Sequence, residues 1–354
     1  MLSYLIITFF TICLGLLFFR AKLLSSYFTN PKTKQLLEKA QQALSLKDWE
    51  QAKFTLEKLL SINPYLSETL VLYSKYFRLT KRPLEAYEKA IQAYNKCPEK
   101  GFVCLEFGKT IFDLGDSKKS LNIFKKHKLL LTSCEDLTYY SEILLSQNYS
   151  DEAWLIIKKL LKSSPSSQIY TLSGEYHFNK ECFGQALQFF RKALSTGKDD
   201  YHLQLRVGQC LKRIGFMEDA ISQLQHILYC DPKNLLATLE LGHCFELGNS
   251  HKQALLLYQR PQVWSLGDPH ILRQAGSCAL KLRQYHHAQL YFQEAIKKGL
   301  SSIKNLALLG FSFECQECWE EAEETYFQLI EQFPQHPAGY RGLAWLYGVG
   351  FSVH

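Results

Sequence analysis

The sequence predicts an all-α solenoid of about nine and a half helix-pair repeats, preceded by one transmembrane helix. Three observations predict it: an alanine that recurs at a fixed interval, a second column of small residues twelve positions upstream, and an uncharged apolar run at the N-terminus. The alanine column is Ala52, Ala86, Ser120, Ala153, Ala186, Ala220, Ala254, Ala288 and Ala322, in steps of 34 or 33 residues. Alanine occurs 21 times in 354 residues, so chance would fill fewer than one of these positions, yet it fills eight. The second column is Ala40, Ser74, Gly108, Ser141, Gly174, Gly208, Gly242, Gly276, Gly310 and Ala344, every one Gly, Ala or Ser. Two antiparallel helices joined by a short turn approach closely only where facing positions carry almost no side chain, so both columns read as helix contacts.

Four residues past the alanine column, on the same helix face, stand Leu56, Phe124, Ile157, Phe190, Leu224, Tyr258, Phe292 and Tyr326. These are the predicted core. Pro64, Pro98, Pro165, Pro232 and Pro334 close repeats, because a ring without an N–H cannot continue a helix. Thr132, Lys198 and Leu300 depart from that pattern. Pro261 falls inside the second helix of the seventh repeat, which predicts a shortened helix and a loosened joint to the eighth.

In order, the expected organisation is a transmembrane helix at 1–19, a basic juxtamembrane linker at 20–32 and the repeats at 33–354. Repeats start near 33, 67, 101, 134, 167, 201, 235, 269 and 303, with a partial one from 337. No charged residue lies between Leu2 and Phe19, and eighteen residues at helical rise reach roughly 27 Å, enough for a hydrocarbon core. A cleaved signal peptide would need a positive stretch before the run and a small-x-small site after it, and neither is present. Arg20, Lys22, Lys32 and Lys34 follow the run, so the positive-inside bias predicts a single-pass protein, N-terminus outside and repeats in the cytoplasm. Cys13 lacks the small residue that lipoprotein processing wants before it and reads as a lipid-facing apolar side chain.

The formal net charge is +7, and setting those four cations aside leaves +3 for the rest. A nearly neutral body argues against nucleic acid, which demands clustered Lys and Arg. Eleven cysteines, mostly within apolar helical patterns, suit reduced thiols better than a disulfide scaffold.

The small residue early in the first helix (helix A), the alanine early in the second (helix B), the large apolar residues between them, the closing Pro and the turn Leu114-Gly115-Asp116 resemble the tetratricopeptide-repeat family. The resemblance runs from about residue 33 to 354. It implies a right-handed superhelix whose A helices line a concave groove, and a function in holding other proteins.

Candidate chemistry is sparse. Cys315-x-x-Cys318 is the one CxxC, whereas structural zinc wants four ligands, normally as two such pairs. Cys210, Cys244 and Cys278 share one repeat position and read as small core fillers. His286 and His287 are neighbours about 100° apart on a helix and form no chelating i, i+4 pair. No GxxxxGK[ST] phosphate loop occurs, anchor and repeats use nearly the whole chain, and no cofactor, metal or enzymatic activity is expected.

Reading inward-facing positions next to and just beyond the small column gives a candidate partner groove: Lys75, Arg78, Lys109, Phe112, Glu142, Glu175, Phe178, Asn179, Gln209, Lys212, Arg213, His243, Glu246 and Lys281. Its mixed sign suits an extended peptide of alternating charge, or else marks solvated helix faces. Some family members clamp a terminal carboxylate with Lys and Asn, and Asn is missing from the corresponding site here. At the C-terminal end, Tyr340, Leu343, Trp345, Leu346, Tyr347, Phe351 and Val353 crowd the last helix, where polar residues are usual. That segment is expected to dock a partner or a second copy, or to fold back on the ninth repeat.

The expectation is a membrane-anchored scaffold or adaptor that binds partner proteins through its groove and concentrates them at a bilayer. The alternative is a membrane-tethered chaperone or assembly factor for secreted or envelope proteins. The organisation is similar to that of bacterial envelope-assembly regulators, whose C-terminal knuckle with paired CxxC motifs this chain lacks.

Overall fold

The structure, a computed structural model, describes residues 31–196 and 200–349. Among them all regular structure is helical. The chain divides into two compact units, Met1–Ser164 and Pro165–His354. In the first unit lie α1 (Pro31–Leu46), α2 (Trp49–Ile62), α3 (Ser67–Leu79), α4 (Pro83–Lys96), α5 (Gly101–Asp113), α6 (Ser117–Lys126), a 3-10 turn (Lys128–Leu130), α7 (Cys134–Ser146) and α8 (Ser150–Ser163). The second holds α9 (Ser167–Asn179), α10 (Phe183–Thr196), α11 (Tyr201–Ile214), α12 (Met217–Cys230), α13 (Leu235–Leu247), α14 (His251–Tyr258), α15 (Pro261–Trp264), α16 (Pro269–Lys281), α17 (Tyr285–Lys297), α18 (Ile303–Glu314), α19 (Trp319–Gln332) and α20 (Pro337–Val349). Odd-numbered helices from α1 to α13, then α16, α18 and α20, carry the small column and are the A helices.

Most A helices from α7 onward start on a side-chain cap. Ser133, Ser166, Asp200, Asn234, Asp268 and Ser302 each accept a backbone N–H of the first turn, satisfying donors that the helix itself cannot pair.

The core is the contact between A and B helices of one repeat. The alanine column is fully buried from Ala52 to Ala322. Ser120 fits it because its hydroxyl donates to the Gly108 carbonyl at 2.8 Å. Opposite lie the residues sixteen positions beyond the small column. A methyl group added at Gly174 would sit 2.4 Å from the Phe190 ring, and one at Gly276 2.6 Å from Phe292. At Gly310 it would sit 2.7 Å from Tyr326, and at Gly108 2.9 Å from Phe124. Helix A therefore lies against a ring with no room for one more carbon.

Each A helix turns into its B helix through a residue in the left-handed region: Lys47, Lys81, Gly115, Asn148, Glu181, Gly215, Asn249, Arg283 and Glu317, with φ between 55° and 97°. The next residue donates its N–H to the carbonyl five positions back, as Cys182 does to His177 at 2.8 Å and Gln284 to Ala279 at 2.9 Å. This is a Schellman turn, and it reverses the chain in two to four residues.

Pro261 does shorten its helix: α14 has eight residues, where α12 has fourteen. The expected loosening is not seen, because α15 puts Val263 into the core with Ala254, Tyr258, Ile271 and Ala275.

Two sequence expectations need correction. Among the described residues no helix is long and apolar enough to cross a membrane. The longest, α1, has 16 residues, against the ~20 that a span requires. The single-pass localisation, with N-terminus outside and repeats in the cytoplasm, is overturned on this finding; the run Leu2–Phe19 itself lies outside the described residues. The basic linker expected to reach residue 32 also gives way to helix earlier, since α1 starts at Pro31, a residue preorganised for a first turn.

Seven of the nine left-handed turn residues carry a side chain, at a strain of roughly 1–2 kcal/mol each. We expect Glu181→Gly to stabilise the protein by about 0.5–1 kcal/mol, the strain relieved less the extra chain entropy of Gly. Urea unfolding monitored by helical circular dichroism measures this, and a loss of stability would contradict the assignment of the turn.

Candidate protein-interaction faces

Residues one, four and five past the small column lie on one face of each A helix, as do those two and six before it. In the first unit these positions converge on Arg78. Its guanidinium, 4% exposed, donates through Nε to Glu106 Oε1 at 3.1 Å, through Nη2 to Glu135 Oε1 at 2.7 Å and through Nη1 to the Tyr139 hydroxyl at 2.6 Å. Lys109, 7% exposed, reaches Asp136 at 2.6 Å, Glu135 at 3.4 Å and Glu106 at 3.7 Å. Lys75 bonds the other Glu135 oxygen, and the Ser74 hydroxyl donates to Glu106 at 3.3 Å. Three successive repeats are stitched together through charged groups.

Burial works to raise the Glu135 carboxyl, but Lys109, Arg78 and the Lys75 hydrogen bond win and hold it at about 2. Burial raises the Tyr139 hydroxyl to about 12, and it raises Asp113 as well. Beside this cluster opens a cleft of about 820 Å³, walled by Leu44, Val71, Leu72, Phe102 and Leu105 together with Lys75, Lys109 and Glu135.

The second unit repeats the device on α9, α11 and α13. Arg206 grips Glu175 with both arms, at 2.8 and 2.9 Å, and lies 4.7 Å over the Phe178 ring. The Gln209 amide donates to Glu240 at 2.8 Å, Lys212 pairs with the same carboxylate, and His243 stands 3.2 Å from Lys212. Further along, α13, α16 and α18 wall a cleft of about 580 Å³. It contains His243, Glu246, His251, Lys281, Arg283 and Lys304 beside Leu280, Leu308 and Phe311.

The candidate groove residues thus fall into several environments. Lys75, Arg78, Lys109, Glu175, Gln209 and Lys212 are joined to neighbouring repeats, and Phe112 meets Tyr139 edge-on at 6.2 Å. Glu142 adds its field to Tyr139, Phe178 packs under Arg206, Arg213 covers Phe183 at 5.5 Å and Asn179 is exposed. His243 and Lys281 line the second cleft; Glu246 also does, and one of its oxygens accepts the buried Tyr258 hydroxyl at 2.8 Å. Sequence reasoning missed Glu106, Glu135, Arg206, Glu240, Arg283 and Lys304. Counting two residues backwards from the small column would have found Glu106, Arg206 and Glu240.

The other candidates resolve as follows. In α20, Leu343 and Leu346 are buried against Leu306, Ala322, Tyr326 and Leu329, so this face folds back on the ninth repeat. Tyr340, Trp345 and Tyr347 stay exposed, Phe351 and Val353 lie outside the described residues, and nothing in the structure supports self-association through this helix. Cys315 closes α18 and Cys318 opens α19. Cys210, Cys244 and Cys278 are buried, and burial pushes the thiols of Cys210 and Cys278 up to about 12.

Because Glu135 is held below its ordinary value of 4.5, its stabilisation is complete above pH 4.5 and is lost as pH falls towards about 2. The carboxylate is a third exposed, so solvent screening leaves about 1–2 kcal/mol of it. Urea unfolding should show wild type exceeding Glu135→Gln by that amount at pH 7, with the gap closing across this window. A gap independent of pH would contradict the network.

No protein-family model matches the chain, and no curated protein matches it in sequence. Solved structures do resemble it. Human IFIT1, solved as a dimer with PPP-AAAA, is 16% identical with a TM-score of 0.54, covering 83% of this chain and 81% of its own. PilW, described as a type IV pilus biogenesis factor, is 16% identical with a TM-score of 0.48, over 60% of this chain and 100% of its own. MamA from Desulfovibrio magneticus RS-1 is 18% identical with a TM-score of 0.42, over 47% of this chain and 93% of its own. All three are tetratricopeptide-type helical-repeat proteins; the likeness to IFIT1 bears on the fold, and the other two are too distant to add to it. The chain has the all-α helical-repeat fold.

Proposed function

We propose that the protein is a non-catalytic scaffold that binds segments of partner proteins on the exposed faces of its A helices. One observation carries this reading: in each unit, successive A helices leave an open cleft that combines apolar walls with charged side chains. Clefts of this composition suit a peptide, whose alternate side chains are held by apolar contact and whose polar groups meet the charges. The buried cysteines support a structural role, since thiols held up by burial are poor nucleophiles at neutral pH.

Photo-crosslinking side chains placed at Phe102 in the first cleft and Leu308 in the second test the proposal in the cells that make the protein. Both should capture a small, reproducible set of proteins that the same probe at exposed Glu88 on α4 does not. Capture indistinguishable from the Glu88 control at both positions would remove the scaffold reading.

A further inference from the structure

Resting on the scaffold reading, we propose that the second unit's cleft takes an acidic peptide segment carrying one apolar anchor residue. Lys281, Arg283 and Lys304 all line this cleft, all are exposed, and none forms an ion pair among the described residues. That sets them apart from the cations of the two A-helix networks described above. Lys75, Arg78 and Lys109 share Glu106, Glu135 and Asp136, Arg206 holds Glu175, and Lys212 holds Glu240.

The chain pattern explains the difference. Position four past the small column pairs with position two before it in the next repeat: Arg78 with Glu106, and Lys212 with Glu240. In the eighth and ninth repeats that second position is Gln274 and Leu308, so this stretch lacks the carboxylates that earlier repeats supply there, while its cations stand at other positions: Lys281 five past the column, Arg283 seven past it and Lys304 six before it. The acids still nearby are engaged: Glu246 accepts from Tyr258 at 2.8 Å, and Glu314, 8% exposed, accepts from Tyr326 at 2.6 Å. The cleft therefore holds three cations and one carboxylate, Glu246, which is already engaged, an excess of positive charge that an acidic ligand would balance.

Two further features shape the ligand. His251 lines the same cleft together with His243, and an imidazole N–H can donate to a ligand carboxylate. Leu280, Leu308 and Phe311, the last 46% exposed, form an apolar wall beside the cations, which suits one buried Leu or Phe side chain. A nucleic-acid backbone fits less well, because it requires a continuous basic track with faces on which bases stack. Here the patch is confined to three cations, and Glu320, Glu321, Glu323 and Glu324 crowd the start of the following α19.

Fluorescence anisotropy on the full chain tests this with an array of short peptides that differ in Asp and Glu content and in the presence of one Leu or Phe. Acidic anchored peptides should bind and basic ones should not. Binding should fall steeply with salt and weaken roughly tenfold or more in Lys281→Glu/Lys304→Glu. Leu308→Ala should weaken the anchored peptides selectively. Lys281 and Lys304 are exposed and Leu308 is half-buried against the core, and unchanged helical circular dichroism confirms folding in both variants. Three results would each overturn the proposal: equal binding by wild type and the double charge variant, tighter binding of a polyadenylate oligomer than of any acidic peptide, or a change in solution mass showing that a second copy fills the cleft. If crosslinking captures partner proteins while no acidic peptide binds, this inference fails and the scaffold reading stands. If crosslinking captures none, the scaffold reading fails.

Discussion

Everything in both units depends on how closely an A helix can lie on the B helix that follows it. That distance is set by a size trade between two positions sixteen residues apart. Where the A-helix site is Gly, its partner is a ring or Leu: Gly108 with Phe124, Gly174 with Phe190, Gly208 with Leu224, Gly242 with Tyr258, Gly276 with Phe292 and Gly310 with Tyr326. Where the site has a side chain, the partner shrinks or loses its ring: Ala40 with Leu56, Ser74 with Ala90 and Ser141 with Ile157. Tight interiors have no spare volume, so one contact fixes both residues. Once the pair is set, the alanine column, the Schellman turns and the A-helix faces follow at repeat spacing.

The same geometry decides which polar groups are tolerated inside. Phe124, Phe190 and Phe292 stand at the same repeat position as Tyr258 and Tyr326, and the two tyrosines bring a hydroxyl that must find an acceptor. Each does, twelve residues upstream: Glu246 for Tyr258 and Glu314 for Tyr326. The phenylalanine repeats carry Phe112, Phe178 and Leu280 at the acceptor's position. Burial raises the Glu314 carboxyl and the Tyr326 hydroxyl, so both ends of that contact lean toward their protonated forms. Several charged A-helix residues behave in a parallel way by pairing with the next repeat, and the cations of the second unit's cleft lack such pairs.

Much of the fold was legible because the small and alanine columns are near-periodic, and periodic sterics survive in a single sequence. The turns were less so. Only Gly115 and Gly215 announce a left-handed residue, while Lys47, Lys81, Asn148, Glu181, Asn249, Arg283 and Glu317 hold the same conformation without a glycine signal. The faces were read from the small column toward the C-terminus only, which caught Lys75, Arg78 and Lys212 and missed the carboxylates that pair with them. Nor does the forward spacing alone reveal which cation is buried in an ion-pair network and which stays exposed, which is what separates Lys109 from Lys281. The hydrophobic run at the N-terminus drove the localisation expectation, a sequence signal that no described helix supports.

The size trade is most directly tested by a double-mutant cycle at Gly174 and Phe190. Equilibrium unfolding should show Gly174→Ala destabilising by about 1–3 kcal/mol, because its methyl would intrude on the Phe190 ring. In a Phe190→Leu background, which copies the Gly208–Leu224 pair, the same substitution should lose most of that effect, a coupling of about 1 kcal/mol or more. Strict additivity of the two substitutions would contradict the account.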